Sequence, residues 1–546
     1  MKVEMGLLLL MSSVVMAQQP KNILVIMTDD QRWDTVAQMP KLSAIAQQGV
    51  TFPNAHQPTP LCGPSRSILF SGGYHMQDTG VYGNNPPNGG AKLFYDKTNL
   101  GVMLQNAGYK TMFIGKWVNG YEGMGKYVPP GWNTWIGRHS YATISSWFNF
   151  QYVKGTSTAK ASSTGTIVNS NKYTTYYERD AILAALNSDM GNPSKPFFIL
   201  WMPSAPHEPA TPAPEDANTF STYLYRGRGV GETDLSDKPK WVQNYTAATG
   251  GLGAYGNGWG DPFIQKQLDA LQGVDRSIAA VINQLQSNGQ WANTVVIYSS
   301  DNGYQWGEHG LWGKAKPYEE SLHVPFFVFM PGVAPRTDPR LVEPSLDIGP
   351  TLFDIAGIKK TTQGTSIVPL LNDPTTPWRS SLYIEESDNN LSGAAIFAGT
   401  VNPNNTFVEY WTGEEELYDL ISDPYQLRSL DKDPTQATLK ASMLAQTVPL
   451  LGLAIVPVNN YKTTKHGTAF SNQMRIWGGF APFTWVVASG ALPPGIKLNR
   501  ATGLLSGVPT TPGTYNFSLR VTDSALSPQN NAYHTFVTRV NKLVVN

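Results

Sequence analysis

The chain has 546 residues, enough for two or three domains. Hydrophobic residues make up 41% and aromatics 11%, which fits a large buried core and excludes a disordered chain. Lys plus Arg and Asp plus Glu each number 40, and a formal net charge of +0 excludes a general nucleic-acid binder, whose footprint is a basic excess, while leaving room for a local basic pocket.

The chain opens "MKVEMGLLLLMSSVVMAQQP". Lys2 precedes an apolar run, Gly6 to Met16, that is too short to span a bilayer. Val15-Met16-Ala17 then places small residues where a signal peptidase cuts. The pattern predicts a signal peptide over 1–17 and a secreted or periplasmic mature protein. No later stretch has the length and apolarity of a membrane span. "NILVIM" (22–27) follows as a short buried strand leading to Asp29-Asp30.

"PLCGPSRSILFSGG" (60–73) holds the single cysteine of the chain, Cys62. Pro64 suits the first turn of a helix, where its missing N–H costs nothing, and Gly72-Gly73 stop that helix. Cys62 then lies at a helix N-terminus, where free N–H groups favour an anion. Arg66, one turn on, reaches back to the same point. An odd cysteine in an exported protein is an intermolecular link or a reactive group, and the bland alternative, a small buried hydrophobe, is disfavoured by the un-core-like neighbours Gly63, Pro64, Ser65 and Arg66.

The α/β alternation continues along the chain. "LGVMLQNAGYK" (100–110) reads as a helix with Gly108 as its stop, and "YKTMFIG" (109–115) as a strand ending at Lys116. "PFFILWM" (196–202) is a strand followed by "PSAPHEP", which carries His207. From Gln267 to Leu285 apolar residues recur at steps of three and four, giving one helical stripe. "NTVVIYSS" (293–300) is a strand ending at Asp301-Asn302-Gly303. Strands alternating with helices predict an α/β domain with a mostly parallel sheet flanked by helices. In such sheets ligands bind outside the carboxyl ends of the strands, so Asp29, Asp30, Lys116, His207, Asp301 and Asn302 converge on one edge.

"SSLYIEE", "GAAIFAG" and "NTFVEYWTGEEELYDL" read as short antiparallel strands of a small subdomain, followed by a helix. After about residue 456 Pro/Gly turns separate short alternating strands, the form of a β-sandwich. The expected organisation is a signal peptide at 1–17, a catalytic α/β domain at 18–375, an antiparallel subdomain at 376–456 and a sandwich at 457–546.

"LPPGIKLN", "TGLLSGVPT" and "GTYNFSLRVTDS" resemble the Ig-like modules appended to bacterial surface and secreted enzymes. "CGPSR" resembles the type I sulfatase signature, Cys-x-Pro-x-Arg. "VIMTDDQRWD", "FIGKW", "APHEP", "YSSDNGYQWGEHGLWGKAKPYEESLHVPFFV" and "LDIGPTLFDIAGI" extend the resemblance from residue 20 to about 450. The resemblance implies an alkaline-phosphatase-like fold. It also implies that Cys62 is oxidised to formylglycine by a formylglycine-generating enzyme during export. The family's aldehyde hydrate attacks sulfur with one oxygen, and its second oxygen then expels sulfate, a step that an unmodified cysteine performs less easily.

The other expected roles follow from the same resemblance. Asp29, Asp30, Asp301 and Asn302 offer only oxygens, which suits a hard cation, Ca²⁺ in most of the family and Mg²⁺ as the alternative, with residue 62 beside it. Lys116 and Lys314 match the sulfate-binding lysines, and Arg66 completes the signature. His207 or Lys314 matches the proton donor to the leaving alcohol. Lys316 competes for the Lys314 role. His309 faces the substrate, packs in the core or sits in a surface turn. Many sulfatases carry a histidine two residues after the first lysine; here "GKWVNGY" has Val118 and Asn119. That form, with "YVPPGWNTW" and "DLSDKPKW", resembles N-acetylglucosamine-6-sulfatases and heparan endosulfatases. Asn119 would then hydrogen-bond the diol or sulfate, and the base for sulfate elimination falls to water or His207.

The expected activity is hydrolysis of sulfate monoesters on a carbohydrate, such as 6-O-sulfated N-acetylglucosamine or a related polysaccharide. The aromatics of 132–152 would stack on sugar rings or pack the core. A phosphodiesterase or phosphonate monoester hydrolase of the same superfamily is the alternative, disfavoured by Asp301-Asn302 where those enzymes more often carry Asp-His. A non-catalytic carbohydrate-binding surface protein fits the intact set of site residues least.

Overall fold

The computed structural model describes residues 21–139, 147–192, 194–249, 260–387, 396–447, 453–455, 463–538 and 541–546. The expected signal peptide lies outside the described residues. No helix among them is long and apolar enough to cross a membrane.

A ten-stranded sheet organises the first domain. Its centre is five parallel strands in the order Thr294–Ser300, Asn22–Thr28, Phe197–Met202, Lys110–Gly115 and Thr134–Arg138. The four strands expected from apolar runs are therefore neighbours. Both flanks turn antiparallel. Phe327–Phe329 pairs with Thr294–Ser300 on one side, and Phe150–Gly155 with Thr134–Arg138 on the other. The sheet is thus parallel at its centre and mixed as a whole.

Asn22–Thr28 and Thr294–Ser300 are buried along their whole length, because helices cover both faces. Ile23, Val25 and Met27 enter one core, and Leu24 and Ile26 the other. The helix Gly260–Ser287 closes the second core with Leu271, Val274, Ile278, Val281 and Leu285, the stripe read from the sequence. The helix Cys62–Ser71 packs Leu69 and Phe70 into the first core.

Leu382–Glu386, Phe397–Val401, Asn405–Tyr410 and Glu415–Asp419 form an antiparallel meander, with the helix Ala437–Thr447 packing Met443 on Phe407 and Leu417. The sandwich sets Phe470–Gln473, Leu504–Gly507 and Ile496–Leu498 against Thr484–Gly490, Gly513–Leu526, Tyr533–Val537 and Asn541–Val545. Trp485, Phe517, Leu519 and Phe536 fill it. The same cluster takes in Ile68, Met76 and Tyr82 of the first domain, so the sandwich docks directly beside the Cys62–Ser71 helix.

Candidate active site

Parallel strands bring their carboxyl ends to one edge, and the expected residues stand there. Asp29 and Asp30 follow Thr28, Lys116 follows Gly115, and Asp301 and Asn302 follow Ser300. Gly115 has φ 112°, and a Cβ there would lie 2.1 Å from the Met202 carbonyl oxygen, so only glycine lets the strand end turn Lys116 into the site. Asp30 holds φ 67°, a left-handed conformation tolerated best by Asp and Asn outside glycine. The Asp29 N–H donates to the Ala205 carbonyl at 3.2 Å, which ties the His207 loop to this edge. Cys62 is the first residue of its helix, and the next N–H, Gly63, donates to Asn84 Oδ1 at 2.7 Å. The Ala315 N–H donates to the Pro60 carbonyl at 2.9 Å and brings the Lys314 loop beside Cys62.

These elements enclose one charged cluster. Lys314 Nζ lies 3.0 Å from Cys62 Sγ and also contacts Asp30 Oδ1. Cys62 Sγ faces Asp29 Oδ1 at 3.5 Å. Lys116 Nζ donates to Asp29 Oδ2 at 2.6 Å. Arg66 Nε donates to Asp301 Oδ2 and its Nη1 to the Lys116 carbonyl, both at 2.7 Å. The Asp30 N–H donates to Asp301 Oδ1 at 3.2 Å, and Asn302 Nδ2 to Asp30 Oδ1 at 2.7 Å. His207 Nε2 stands 3.7 Å from Asp30 Oδ2. Its Nδ1 is 2.7 Å from the Glu208 carbonyl, an acceptor, so Nδ1 carries the proton and a neutral ring turns its Nε2 lone pair toward the carboxylates.

Burial sets the electrostatics. It pushes the Cys62 thiol up to about 12, against the pull of Lys116 and Lys314, so the thiol is protonated at neutral pH. Burial also opposes ionisation of Asp29, but Lys116, His207 and Arg66 together hold that carboxyl well below its usual range. Burial lowers His207 to about 4, with Lys314 adding to the effect. Lys314 moves the other way: burial disfavours its charge, and Asp30 and Cys62 more than compensate.

The donor set fits a hard cation. Asp29, Asp30, Cys62 and His207 each turn a ligand atom to within 4.8 Å of the others. Asn302 Oδ1 is buried beside them and accepts no hydrogen bond, an acceptor waiting for a positive partner. With the carboxylates of Asp29, Asp30 and Asp301 it offers oxygens to an ion such as Ca²⁺ or Mg²⁺.

Other expected residues stand further from this cluster or off it. Lys316 Nζ donates to the Lys314 carbonyl at 2.6 Å, so Lys314 alone of the two reaches Cys62. His309 is fully buried, its Nδ1 2.6 Å from Glu232 Oε2 and its ring 4.2 Å from that of Tyr318. Its Nε2, like Asn119 Oδ1, is buried without a hydrogen-bond partner. Among the described aromatics of 132–152, Trp132, Trp135, Trp147, Phe150 and Tyr152 are buried in the core, with Trp135 stacked on Phe113 at 4.4 Å, and Phe148 is half-buried against it. Residues 140–146 of that stretch lie outside the described residues. Asn84, which fixes the start of the Cys62 helix by accepting from the Gly63 N–H, carries no motif that marks it in the sequence.

Three family models match the chain: Sulfatase over residues 21–358, N-sulphoglucosamine sulphohydrolase, C-terminal, over 307–450, and an Ig domain over 453–541. An extracellular sulfatase SULF-1 homolog of Drosophila melanogaster is 30% identical over 383 residues, 67% of this chain. The chain spans only 33% of that relative's length. An N-acetylglucosamine-6-sulfatase of Capra hircus is 27% identical over 466 residues, 75% of this chain and 80% of the relative. A structure solved with its substrate D-glucosamine-2-N,6-O-disulfate superposes with a TM-score of 0.68 at 20% identity, covering 79% of this chain and 97% of the other, a likeness of fold.

Proposed function

The chain belongs to the sulfatase family, and from that premise we propose that it hydrolyses sulfate monoesters on a carbohydrate, 6-O-sulfated N-acetylglucosamine or a related polysaccharide. The observation that carries this reading is the position of Cys62: buried at a helix start, 3.0 Å from Lys314 Nζ and 3.5 Å from Asp29, among carboxylates and cations that offset one another. The name of the goat relative, and the sulfated glucosamine bound by the structural neighbour, support a sulfated sugar.

Asp29, Asp30, Asp301 and Asn302 would hold a Ca²⁺ ion beside residue 62, with Mg²⁺ the alternative. Bound there, the cation supplies Lewis acidity and offsets the charge of the sulfate. Converted to formylglycine, residue 62 supplies the diol nucleophile. Lys116 and Lys314 bind sulfate oxygens, and Arg66 orients Asp301. Lys314, next to the reacting atom, gives its proton to the leaving alcohol oxygen. His207, with its Nε2 lone pair toward the cluster, takes the proton released when sulfate is eliminated. Asn119 and His309 are carried as substrate contacts from their place in the sequence motifs alone, since Asn119 Oδ1 and His309 Nε2 are closed off from solvent in this structure. Export through the signal peptide at 1–17, with a formylglycine-generating enzyme acting on the way, belongs to the same proposal. So does the division into 18–375, 376–456 and 457–546.

The test is paired kinetics on protein co-produced with a formylglycine-generating enzyme, with Ca²⁺ present. An aryl sulfate should turn over faster than an aryl phosphodiester, and Cys62→Ala should abolish it. Faster Cys62-dependent phosphodiester turnover would replace this reading with a phosphonate or phosphodiester hydrolase.

A further inference from the structure

Outside that cluster, His56, Glu319 and His323 bring three ligand atoms to within 4.8 Å of one another. His56 and His323 are antiparallel bridge partners, so their side chains share one face. Glu319 begins the short helix Glu319–Leu322, and His323 follows it at i+4 on the same side. His56 Nε2 lies 2.9 Å from Glu319 Oε2, and His323 Nδ1 lies 3.3 Å from the same oxygen. The two imidazole rings lie 4.8 Å apart with their planes inclined by 23°, and Trp33 stacks on His323 at 4.6 Å with its plane tilted by only 4°. The rings are fixed in place before any ligand arrives.

Hydrogen bonding alone leaves this arrangement short of protons. The His323 ring faces two acceptors, the Glu319 carboxylate and the Pro53 carbonyl. A neutral imidazole has one N–H and serves one of them, leaving a lone pair against an oxygen. Burial keeps His323 below its ordinary pKa, which favours that neutral ring. His56 turns its Nε2 to the same carboxylate, 2.9 Å from Glu319 Oε2, while its other nitrogen, Nδ1, is buried without a partner outside the cluster. Three ligand atoms meeting over so few protons suit a cation.

The spacing suits one as well. In a tetrahedral site with bonds of about 2.0–2.1 Å, neighbouring ligand atoms stand about 3.3–3.4 Å apart. The observed 2.9 and 3.3 Å need shifts of a few tenths of an ångström to reach it. Beside the three residues lies a cleft of about 260 Å³, also lined by Trp33, Asn54 and Leu341, where a fourth ligand would enter. Two imidazoles and one carboxylate are borderline donors and suit a zinc-class dication rather than the hard ion of the oxygen-rich cluster. We propose that His56, Glu319 and His323 form a second metal site for a zinc-class dication, with its open position on this cleft. His56 lies six residues before Cys62 and Glu319 five after Lys314, so the ion would cross-link the two segments that carry them.

The full chain, stripped by chelator and then kept in excess Ca²⁺, should be titrated with Zn²⁺ and separately with Co²⁺. The expected result is one Zn²⁺ per chain, bound at least tenfold more weakly in His56→Gln and in His323→Gln. Co²⁺ should give a saturable four- or five-coordinate visible band without thiolate charge transfer, which separates this site from one that includes Cys62. No saturable Zn²⁺ binding in the wild type, or binding unchanged in both folded variants, would overturn the proposal. If neither variant folds, the wild-type Co²⁺ titration decides: no band, or a band with thiolate charge transfer alone, would overturn it too.

Discussion

Replacing His534 should loosen the sandwich from the first domain, and do so with a particular pH dependence. The His534 ring is 7% exposed between two carboxylates: Nε2 is 3.0 Å from Asp78 Oδ1 and Nδ1 is 3.2 Å from Asp523 Oδ2. Only the imidazolium donates to both. Burial pulls its pKa down, but the hydrogen bonds and charges of Asp523 and Asp78 carry it up to about 9. Because the folded value lies above the unfolded value of 6.5, the contribution is complete below about pH 6.5 and is lost as pH rises through about 9. At about 1.36 kcal/mol per pKa unit the rise is worth at most about 3 kcal/mol, and about 2 kcal/mol after allowing for solvent screening. Asp78 belongs to the short helix Met76–Thr79, whose Thr79 Oγ1 lies 3.2 Å from Ser67 Oγ on the Cys62 helix, so the effect reaches the active-site scaffold. The assay is denaturant unfolding of wild type and His534→Gln from about pH 6 to about pH 10. The stability gap should be about 2 kcal/mol at about pH 6, shrink steadily from about pH 6.5 and be nearly gone by about pH 9. A gap that stays flat across the range would refute the reasoning, because a merely steric loss does not titrate.

Lys314→Ala should cost about 10²–10⁴-fold on an alkyl sulfate and clearly less on an aryl sulfate with a good leaving group, since general-acid help matters most for a poor one; equal losses on both would remove Lys314 as the proton donor. Asn302→Leu should weaken Ca²⁺ binding by at least about tenfold, read by calorimetry, because Asn302 Oδ1 has no other buried role. Trp135→Ala should lower stability by about 3–5 kcal/mol while leaving KM unchanged in the protein that folds, as befits a core residue stacked on Phe113; a raised KM with intact stability would restore a sugar-stacking role.

The site was legible where chemistry follows directly from strand ends. "NILVIM", "YKTMFIG", "PFFILWM" and "NTVVIYSS" each carry a continuous apolar run, and parallel pairing then delivers Asp29, Asp30, Lys116 and Asp301 to one edge. The sheet's flanks were not legible. Val50–Thr51 is two residues long and pairs with Phe327–Phe329, a partner that no local pattern names. The aromatics of 132–152 carry the same composition whether they face a sugar or a core, and only packing decides. His56 and Glu319 stand 263 positions apart with no ligand spacing to connect them. The left-handed Asp30 and the His207 tautomer are backbone and loop properties that a residue list does not contain.

The pairing within the cluster makes one more consequence testable. Asp29, Asp30 and Asp301 are matched by Lys116, Lys314 and Arg66, so the buried charges already balance. In this arrangement Lys116 spends its charge on Asp29 and Lys314 on Asp30, the same carboxylates assigned to the cation. The two ammonium groups turn to sulfate oxygens only as those carboxylates find another positive partner. Cation and sulfate binding should therefore be coupled, and the coupling is reciprocal by linkage. Inorganic sulfate should bind at least about tenfold more tightly with Ca²⁺ than after chelation, and Ca²⁺ should bind more tightly by the same factor in sulfate, within the usual range of about 1–3 kcal/mol. Calorimetry in both orders measures both arms. Equal sulfate affinity with and without Ca²⁺ would mean that Lys116 and Lys314 are not held back by their carboxylates, and their assignment as sulfate ligands in competition with Asp29 and Asp30 would fall.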